Sequence, residues 1–332
     1  MTTNRTIRLK ARPSGMVGPE HFDFAEEAMP VAGDGELLVK TGFISLDPAM
    51  RGWLNEGKSY IPPVGIGEVM RAGTVGEVVA SNADGFAPGD WVAGIWGVQT
   101  YAAVAAKDVH KIDTGLAPPE RWLGALGMPG MTAYFGILDV GALKDGETVV
   151  VSAAAGAVGG LVGQIAKVKG CHVVGIAGGA EKCSYVVNEL GFDACVDYKE
   201  DGVLKALATA CPKGVDVYFD NVGGPILEAA MTLLRRGARV VICGAISGYN
   251  DFSKIQGPRN YLNLLVQRAR MEGFVVFDYE ARYGEAIRDI AGWLQSGKVK
   301  AKEDIQHGIE RFPEVLQMLF KGENFGKLIL KP

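Results

Sequence analysis

The segment Val149–Gly160 constrains the fold of this chain more than any other part of the sequence. It reads VVVSAAAGAVGG and matches the dinucleotide pattern G-x-G-x-x-G, with Ala154 at the first glycine position, followed by Gly156 and Gly159. An apolar run (147–153) precedes the turn and a helical pattern (157–170) follows it. Small residues let backbone N–H groups approach a pyrophosphate at a helix N-terminus, where the helix dipole favours an anion. The segment therefore predicts a cofactor-binding turn; the alternative is a helix start that only packs closely on its strand.

Strand and helix patterns alternate on both sides of that turn from about residue 122 onward. Further strands are expected at 171–178, 194–198, 215–223, 238–245 and 272–279, and further helices at 180–191, 224–237 and 280–297. Continuous apolar strands that alternate with helices are typical of a parallel sheet covered on both faces. The pattern predicts a doubly wound Rossmann domain in a chain of the α/β class.

The first 120 residues have a different texture, in which Pro and Gly separate short strands. Strands are expected at 36–46, 73–81 and 91–104, which indicates an antiparallel β-rich domain. The last segment carries a short helix (313–322) and a terminal strand (327–332) that we expect to return to the first domain. The predicted domains are therefore residues 1–122 with 300–332, and residues 123–299.

Charge and cysteine usage exclude several classes of protein. The chain has 34 Lys and Arg against 38 Asp and Glu, a net charge of −4, so it offers no basic footprint for nucleic acid. Its five cysteines are odd in number and lack C-x-x-C spacing, which favours a reducing compartment. The N-terminal residues do not resemble a signal peptide, and the longest uncharged runs do not reach about 20 strongly apolar residues. We expect a cytoplasmic protein without a membrane segment.

The sequence also argues against a metal centre. A catalytic zinc needs about three protein ligands, commonly Cys and His. The first 170 residues contain no cysteine and only two histidines, His21 and His110. There is neither a G-x-S-x-G elbow nor a P-loop lysine for acyl or phosphoryl transfer. We therefore expect no metal in the site.

The choice of cofactor depends on the end of the second strand of the Rossmann pattern. NAD sites usually carry an acidic residue there, which binds the ribose 2′-hydroxyl. This strand instead ends in Ala177-Gly178-Gly179, and Lys182 follows within one helical turn as a cation for a 2′-phosphate. NADPH is the predicted cofactor, with Glu181 as a ribose ligand in the alternative.

Several stretches of the sequence resemble one enzyme family. They are SLDPAMRGW (45–53), GMPGMTAYFG (127–136), residues 153–175, YFDNVGG (218–224), CGAISGYN (243–250), RMEGFVV (270–276) and GENFGK (322–327). They are similar, in order and over nearly the whole chain, to the zinc-independent medium-chain dehydrogenase/reductase superfamily. The similarity is to its prostaglandin reductase and alkenal/one oxidoreductase group, and KSYIPPV (58–64) and AGGAEKC (177–183) resemble its bacterial curcumin-reductase-like members.

The resemblance implies a fold, an activity and a set of cofactor residues. It implies a GroES-like catalytic domain beside the Rossmann domain, a homodimer, and NADPH-dependent reduction of the carbon–carbon double bond of small enones and enals. The residues that it assigns to the cofactor are Met128, Thr132, Gly156, Ala157, Val158, Gly159, Lys182, Tyr198, Asn221, Cys243, Gly244, Ala245, Ile246, Ser247, Tyr249, Phe274, Val275, Val276 and Asn324.

Hydride transfer to an enone builds negative charge on the carbonyl oxygen, so a hydrogen-bond donor is needed there. Tyr60, in a Pro- and Gly-rich loop, is the first catalytic candidate, and Tyr249, on the loop after the fifth core strand, is the second. Arg51 is interpreted as the partner of Asp47 in an i, i+4 pair that holds a turn, with contact to the substrate as the alternative. The alternative functions are a quinone reductase of the same fold and a low-turnover NADPH-binding sensor or structural protein.

Overall fold

The computed structural model describes residues 3–251, 253, 255 and 257–332. They form two compact units, Met1–Gly124 with Glu303–Pro332, and Ala125–Lys302. The predicted boundaries at 122/123 and 299/300 lie close to these limits.

The strands and helices are numbered here in chain order. The strands are β1 (Asn4–Leu9), β2 (Phe22–Glu27), β3 (Glu36–Ser45), β4 (Thr74–Ser81), β5 (Trp91–Gly94), β6 (Tyr101–Ala105), β7 (Val109–Lys111), β8 (Thr148–Ser152), β9 (His172–Ala177), β10 (Ala194–Asp197), β11 (Val215–Asp220), β12 (Leu234–Ile242), β13 (Arg270–Gly273), β14 (Glu303–His307) and β15 (Lys327–Lys331). The helices are α1 (Ala49–Trp53), α2 (Met128–Phe135), α3 (Ala157–Val168), α4 (Ala180–Asn188), α5 (Val203–Ala210), α6 (Gly224–Thr232), α7 (Leu262–Gln267), α8 (Tyr283–Gln295) and α9 (Phe312–Lys321).

The first unit is β-rich and mostly antiparallel. Its main sheet has the strand order β14-β15-β3-β4-β5-β7, with β6 paired to β3, and β1 and β2 form a separate hairpin. The C-terminal strand β15 pairs antiparallel with β3, so that Ile329 lies opposite Ser45, and β14 joins β15 in parallel. Buried apolar residues from β1, α1, α9 and β15 form a common core under this sheet, among them Leu9, Met50 and Phe312.

The second unit is a six-stranded parallel sheet with the order β10-β9-β8-β11-β12-β13. This is the doubly wound order 3-2-1-4-5-6, in which the chain leaves β8 in one direction and returns at β11 to continue in the other. The central strands are buried on both faces; β8 and β11, for instance, contain no exposed residue. The predicted α/β class, with a β-rich part and a Rossmann part, is confirmed.

Several predicted elements differ from the structure in extent. Helix α6 ends at Thr232 and β12 begins at Leu234, so the last part of the predicted helix 224–237 belongs to the strand expected at 238–245. The run 91–104 is two strands, because Gly97 has a φ of +83° and turns the chain between β5 and β6. The run 272–279 keeps strand geometry only to Gly273, and Val276–Arg282 forms a 3₁₀ helix. Its apolar residues mimic a buried strand, but the Tyr279 ring stacks on Phe135 at 4.8 Å and fixes the helical turn.

Helix α5 was not predicted. Within the described residues, no helix has the length and apolar character that a membrane crossing requires.

Candidate active site

The dinucleotide turn joins β8 to α3 in a tight conformation. Ala153 has a φ of +52°, and its carbonyl accepts the Gly156 N–H at 2.9 Å. Gly156 caps α3 with extended geometry. A Cβ on Gly159 would lie 2.9 Å from the carbonyl carbon of Ala153 and nearer still to its oxygen. Glycine at position 159 is therefore required for α3 to start directly above this turn.

The structure explains why alanine replaces the first glycine of the pattern. Ala154 is fully buried, and its N–H donates to the Ile176 carbonyl of the neighbouring strand at 3.0 Å. Opposite its methyl group stands Gly175, where a Cβ would lie 2.8 Å from the Cβ of Ala154. The missing side chain at Gly175 makes room for the extra methyl group, so the turn keeps its shape.

The carboxyl ends of β8 and β11 flank the point at which the strand order reverses, where open α/β sheets bind ligands. Asn221 follows β11 directly. Its backbone N–H donates to Ser152 Oγ at 2.8 Å, and its side-chain Nδ2 donates to the Ser152 carbonyl at 2.7 Å. The predicted cofactor residue Asn221 is thus fixed to the end of β8, beside the dinucleotide turn.

The loop Cys243–Tyr249 after β12 is tied to the segment that contains Asn221. The Ile246 N–H donates to the Asn221 carbonyl at 3.2 Å, and Ser247 Oγ donates to the Val222 carbonyl at 2.6 Å. The Ala245 N–H donates to the Tyr249 hydroxyl at 3.2 Å, so this phenol packs inside its own loop. The structure therefore brings the predicted residues Asn221 and 243–249 together with the turn at Gly156–Gly159.

Burial also controls the chemistry of Cys243. It raises the pKa of the Cys243 thiol to about 12, with a smaller contribution from the charge of Asp220. The raised pKa favours the thiol form of Cys243 over the thiolate at neutral pH.

The ends of β9 and β10 form a second part of the candidate cofactor site. The Tyr198 ring covers Gly178, where a Cβ would lie 2.8–2.9 Å from the ring and its hydroxyl. Asp197 accepts the Gly179 N–H at 2.8 Å and the Lys199 N–H at 2.9 Å, and these two bonds hold its pKa below the usual range. Lys182 lies in the first turn of α4 and is half-buried. The structure thus places Gly178 and Tyr198 together at the ends of β9 and β10. Helix α4, which carries Lys182, follows β9.

Two further predicted groups lie elsewhere in the second unit. Met128 begins α2, and its carbonyl accepts the Thr132 hydroxyl at 2.8 Å. Phe274 packs edge-to-face on Phe219, over Gly136, where a Cβ would meet both rings at 2.7 Å. Its side chain therefore anchors the segment that continues through Val275 and the buried Val276.

In the first unit, Tyr60 is 58% exposed on the loop after α1. The Trp53 indole N–H donates to its hydroxyl at 3.5 Å, and Arg71 donates to the Pro62 carbonyl at 2.8 Å. The loop is therefore anchored at two points. Asn324 lies before β15; it is buried, and its amide donates to the Gly326 carbonyl at 3.1 Å.

The predicted pair of Asp47 with Arg51 was wrong. Arg51 is buried and donates to the carbonyls of Pro13 and Gly15 and to the Asn55 side chain. Asp47 instead accepts from the buried Lys327 ammonium at 2.6 Å. Both side chains bridge segments distant in sequence, which the local i, i+4 spacing could not indicate.

In the part of the chain that the structure describes, no three His, Cys, Asp or Glu side chains form a group that would hold a metal ion. Sequence reasoning missed Ser152, Asp197 and Asp220, each the last residue of a core strand. The one signal that could have found them is their position, since ligands bind at the carboxyl ends of parallel strands.

Comparison with known proteins places this geometry in a family. Residues 5–112 match a family model described as the N-terminal domain of oxidoreductase, and residues 157–292 match one described as zinc-binding dehydrogenase. The chain is 44% identical to the NADPH-dependent curcumin reductase of Escherichia coli, over 99% of this chain and 96% of that protein. It is 41% identical to the NADP(+)-dependent 2-alkenal reductase of Nicotiana tabacum, over 90% and 88% of the two chains.

A crystal structure of CurA from Vibrio vulnificus in complex with NADPH is similar in fold, with a TM-score of 0.94, 44% identity and 98% coverage of both chains. Relatives at this identity extend over almost the whole sequence, and both domain models match. The prediction from the sequence motifs is thereby confirmed, and the chain belongs to the medium-chain dehydrogenase/reductase superfamily, in the group that includes the curcumin, prostaglandin and 2-alkenal reductases.

Proposed function

We propose that this protein reduces the carbon–carbon double bond of α,β-unsaturated ketones and aldehydes with NADPH, by hydride transfer to the β-carbon and without a metal ion. The observation that carries the proposal is whole-length similarity to reductases of this kind, in a chain whose dinucleotide turn stands at the switch point of its sheet. The quinone reductase alternative has no comparable support, because the quinone oxidoreductase from Escherichia coli is only 20% identical and supports the fold alone.

The residues at the carboxyl edge of the sheet fit NADPH. Gly156, Ala157, Val158 and Gly159 would cradle the pyrophosphate at the start of α3, where the first N–H groups of a helix have no acceptor within it; the Gly156 N–H itself donates to Ala153. No acid ends β9, and Lys182 and Tyr198 accompany Gly178 at the position where a ribose 2′-phosphate needs a cation and an open backbone. The remaining cofactor residues are those on the loops after β11, β12 and β13, with Met128, Thr132 and Asn324.

NADPH would supply the hydride when it is bound, and the α-carbon of the enone must also gain a proton to complete the reduction. The task of the protein is then to orient the enone and to stabilise charge on its carbonyl oxygen with a donor. We assign this donor to the Tyr60 hydroxyl, because it is exposed on a loop that Trp53 and Arg71 anchor. Tyr249 is the second candidate; its hydroxyl accepts the Ala245 N–H, which aligns the phenol within the cofactor loop.

Turnover with a panel of substrates tests the function. The purified protein is incubated with NADPH deuterated at the transferred position and with enones, enals, quinones and saturated aldehydes. We expect saturated ketones and aldehydes that carry deuterium at the former β-carbon. Turnover of quinones alone would assign the protein to the quinone reductases, and binding of NADPH without turnover of any class would favour a sensor.

Metal independence has its own test. Dialysis against a chelator should leave enone turnover unchanged, and elemental analysis should find no stoichiometric zinc. Loss of turnover on chelation, restored by zinc, would contradict this part of the proposal.

We further propose that the protein forms a homodimer through β13. In the described part of the chain β13 is the last strand of its sheet, and the nearby helix α7 exposes Leu262, Leu265 and Val266. Antiparallel pairing of two copies about Met271 would place Arg270 opposite Glu272 of the partner subunit, so the strand is self-complementary in charge. Sedimentation should show a dimer that Leu265→Glu dissociates, whereas Leu204→Glu, at an exposed position on α5, should leave it intact.

Cytoplasmic location is the last part of the proposal. All five cysteines are free thiols, as expected in a reducing compartment. Fractionation of the source cells should recover the protein with cytoplasmic markers; recovery in an extracellular fraction would contradict this assignment.

A further inference from the structure

One buried carboxylate at the switch point has no place in the proposed reaction. Asp220 is the last residue of β11 and is 1% exposed. Its strand lies between β8 and β12, so the side chain is located where the sheet reverses its winding. A carboxylate in this position is costly to bury unless donors surround it.

A single oxygen of Asp220 collects four donors. Its Oδ1 accepts the Tyr218 hydroxyl at 2.8 Å, the Ser152 hydroxyl at 3.1 Å, and the N–H groups of Val222 and Gly223 at 3.1 and 3.0 Å. Two of these donors belong to the loop that follows β11, and one belongs to the end of β8. The carboxylate therefore joins the two strand ends that flank the switch point.

The backbone of Asp220 extends the same connection to a third segment. Its carbonyl accepts the N–H groups of Cys243 at 2.9 Å and Gly244 at 3.1 Å, at the start of the loop after β12. The Ser152 hydroxyl that donates to Asp220 in turn accepts the Asn221 N–H at 2.8 Å. Every segment that Asp220 contacts thus carries or adjoins residues assigned to the cofactor.

The balance of burial and hydrogen bonding supports a specific role for this group. Burial raises the pKa of Asp220, although the four hydrogen bonds act in the opposite direction. Hydrogen bonds from several segments to one buried acceptor favour a single arrangement of the segments that it joins. An apolar residue of similar size would leave two loop N–H groups without this acceptor.

We propose that Asp220 is a positioning residue for NADPH, which holds the loop 221–223 against the end of β8 so that the pyrophosphate and nicotinamide half of the cofactor is bound. The adenosine 2′-phosphate lies with Lys182 and Tyr198, at the ends of β9 and β10, and none of the contacts of Asp220 described above involves those residues. This inference rests on the proposed cofactor site but not on the proposed reaction, because it concerns binding alone.

The experiment compares two ligands in the absence of any enone. The dissociation constants of NADPH and of 2′,5′-ADP, which carries only the adenosine end, are measured by titration calorimetry for the wild type, Asp220→Ala and Asp220→Asn. We expect Asp220→Ala to weaken NADPH about 10- to 100-fold, the range for loss of a charge-assisted hydrogen bond, and to leave 2′,5′-ADP unchanged. Asp220→Asn retains an acceptor oxygen and should recover most of the affinity.

Tyr218→Phe is the matched control. It removes one of the four donors to the same oxygen but none of those from the loop, so NADPH should bind nearly as in the wild type. If Asp220→Ala does not fold, the ratio of the two dissociation constants in Asp220→Asn decides, with a small selective loss of NADPH expected. The inference would be overturned if a substitution of Asp220 weakened the binding of both ligands equally. It would also be overturned if both Asp220 variants bound NADPH as tightly as the wild type. Failure of enone turnover would refute the proposed reaction and leave these binding ratios valid.

Discussion

Replacing Gly159 by alanine places a methyl group against the backbone of the turn before α3. The added Cβ would lie 2.9 Å from the carbonyl carbon of Ala153 and 3.1 Å from the Cα of Ala154. All these neighbours are backbone atoms, so no side chain can rotate away, and the helix or the turn must shift. Overpacking of this kind typically costs about 1–3 kcal/mol.

Helix propensity acts in the opposite direction and must be separated from the clash. Glycine to alanine within a helix stabilises by up to about 1 kcal/mol. Gly292 in α8 provides the control, because a Cβ there would meet no atom within 4 Å. We expect Gly292→Ala to be neutral or stabilising, and the difference between the two variants to isolate the clash.

The assay is urea unfolding of both variants together with the dissociation constant of NADPH. Gly159→Ala should unfold about 1–3 kcal/mol more easily than Gly292→Ala. It should also bind NADPH less tightly, because the turn that must shift is the one that orients the backbone N–H groups of α3 toward the cofactor. If Gly159→Ala matches Gly292→Ala in stability and the wild type in affinity, the packing argument for the turn is wrong.

Three further variants test separate parts of the site and fold. Lys182→Ala should weaken NADPH about 10- to 150-fold and leave NADH almost unchanged, as measured by competition binding, because only NADPH carries the phosphate; equal losses would mean that Lys182 supports the fold. Tyr60→Phe should lower kcat about 10²- to 10³-fold in the enone assay with unchanged NADPH affinity, and an unchanged kcat would transfer the donor role to Tyr249. Burial opposes ionisation of Glu147, but its two hydrogen bonds from Arg239, at 2.8 and 2.5 Å, hold its pKa below the ordinary value of a glutamate. The ion pair stabilises the fold fully above the pKa that Glu147 has in the unfolded chain, and this stabilisation is lost as the pH falls through its pKa in the folded protein. Glu147→Gln should therefore lower the free energy of unfolding by about 3 kcal/mol at pH 7 and by less at pH 3. A loss that does not depend on pH would contradict the ion pair.

Local patterns were sufficient for the elements whose signals lie within a few residues. The turn at Gly156–Gly159 was predictable because backbone approach and helix packing both exclude side chains there. The strand predicted after Gly273 was wrong because a short apolar run can form either a 3₁₀ helix or a strand, and periodicity alone does not separate the two. The aromatic stacking that separated them joins Phe135 and Tyr279, which are distant in the chain.

The sequence by itself determined the class of fold, the position of the dinucleotide turn and the family, because these depend on periodicity and on small residues at fixed spacing. Only the tertiary structure decided the partners of charged side chains. Arg51 and Asp47 are four residues apart, yet each pairs with segments that the fold brings from elsewhere in the unit. The hydrogen bonds of Asp220 likewise depend on strand order, because the donors to its carboxylate come together only where β8 and β11 are neighbours. A buried charge needs hydrogen-bond donors around it, and these come from segments that are adjacent only in the folded chain. Sequence spacing does not show which strand ends are neighbours.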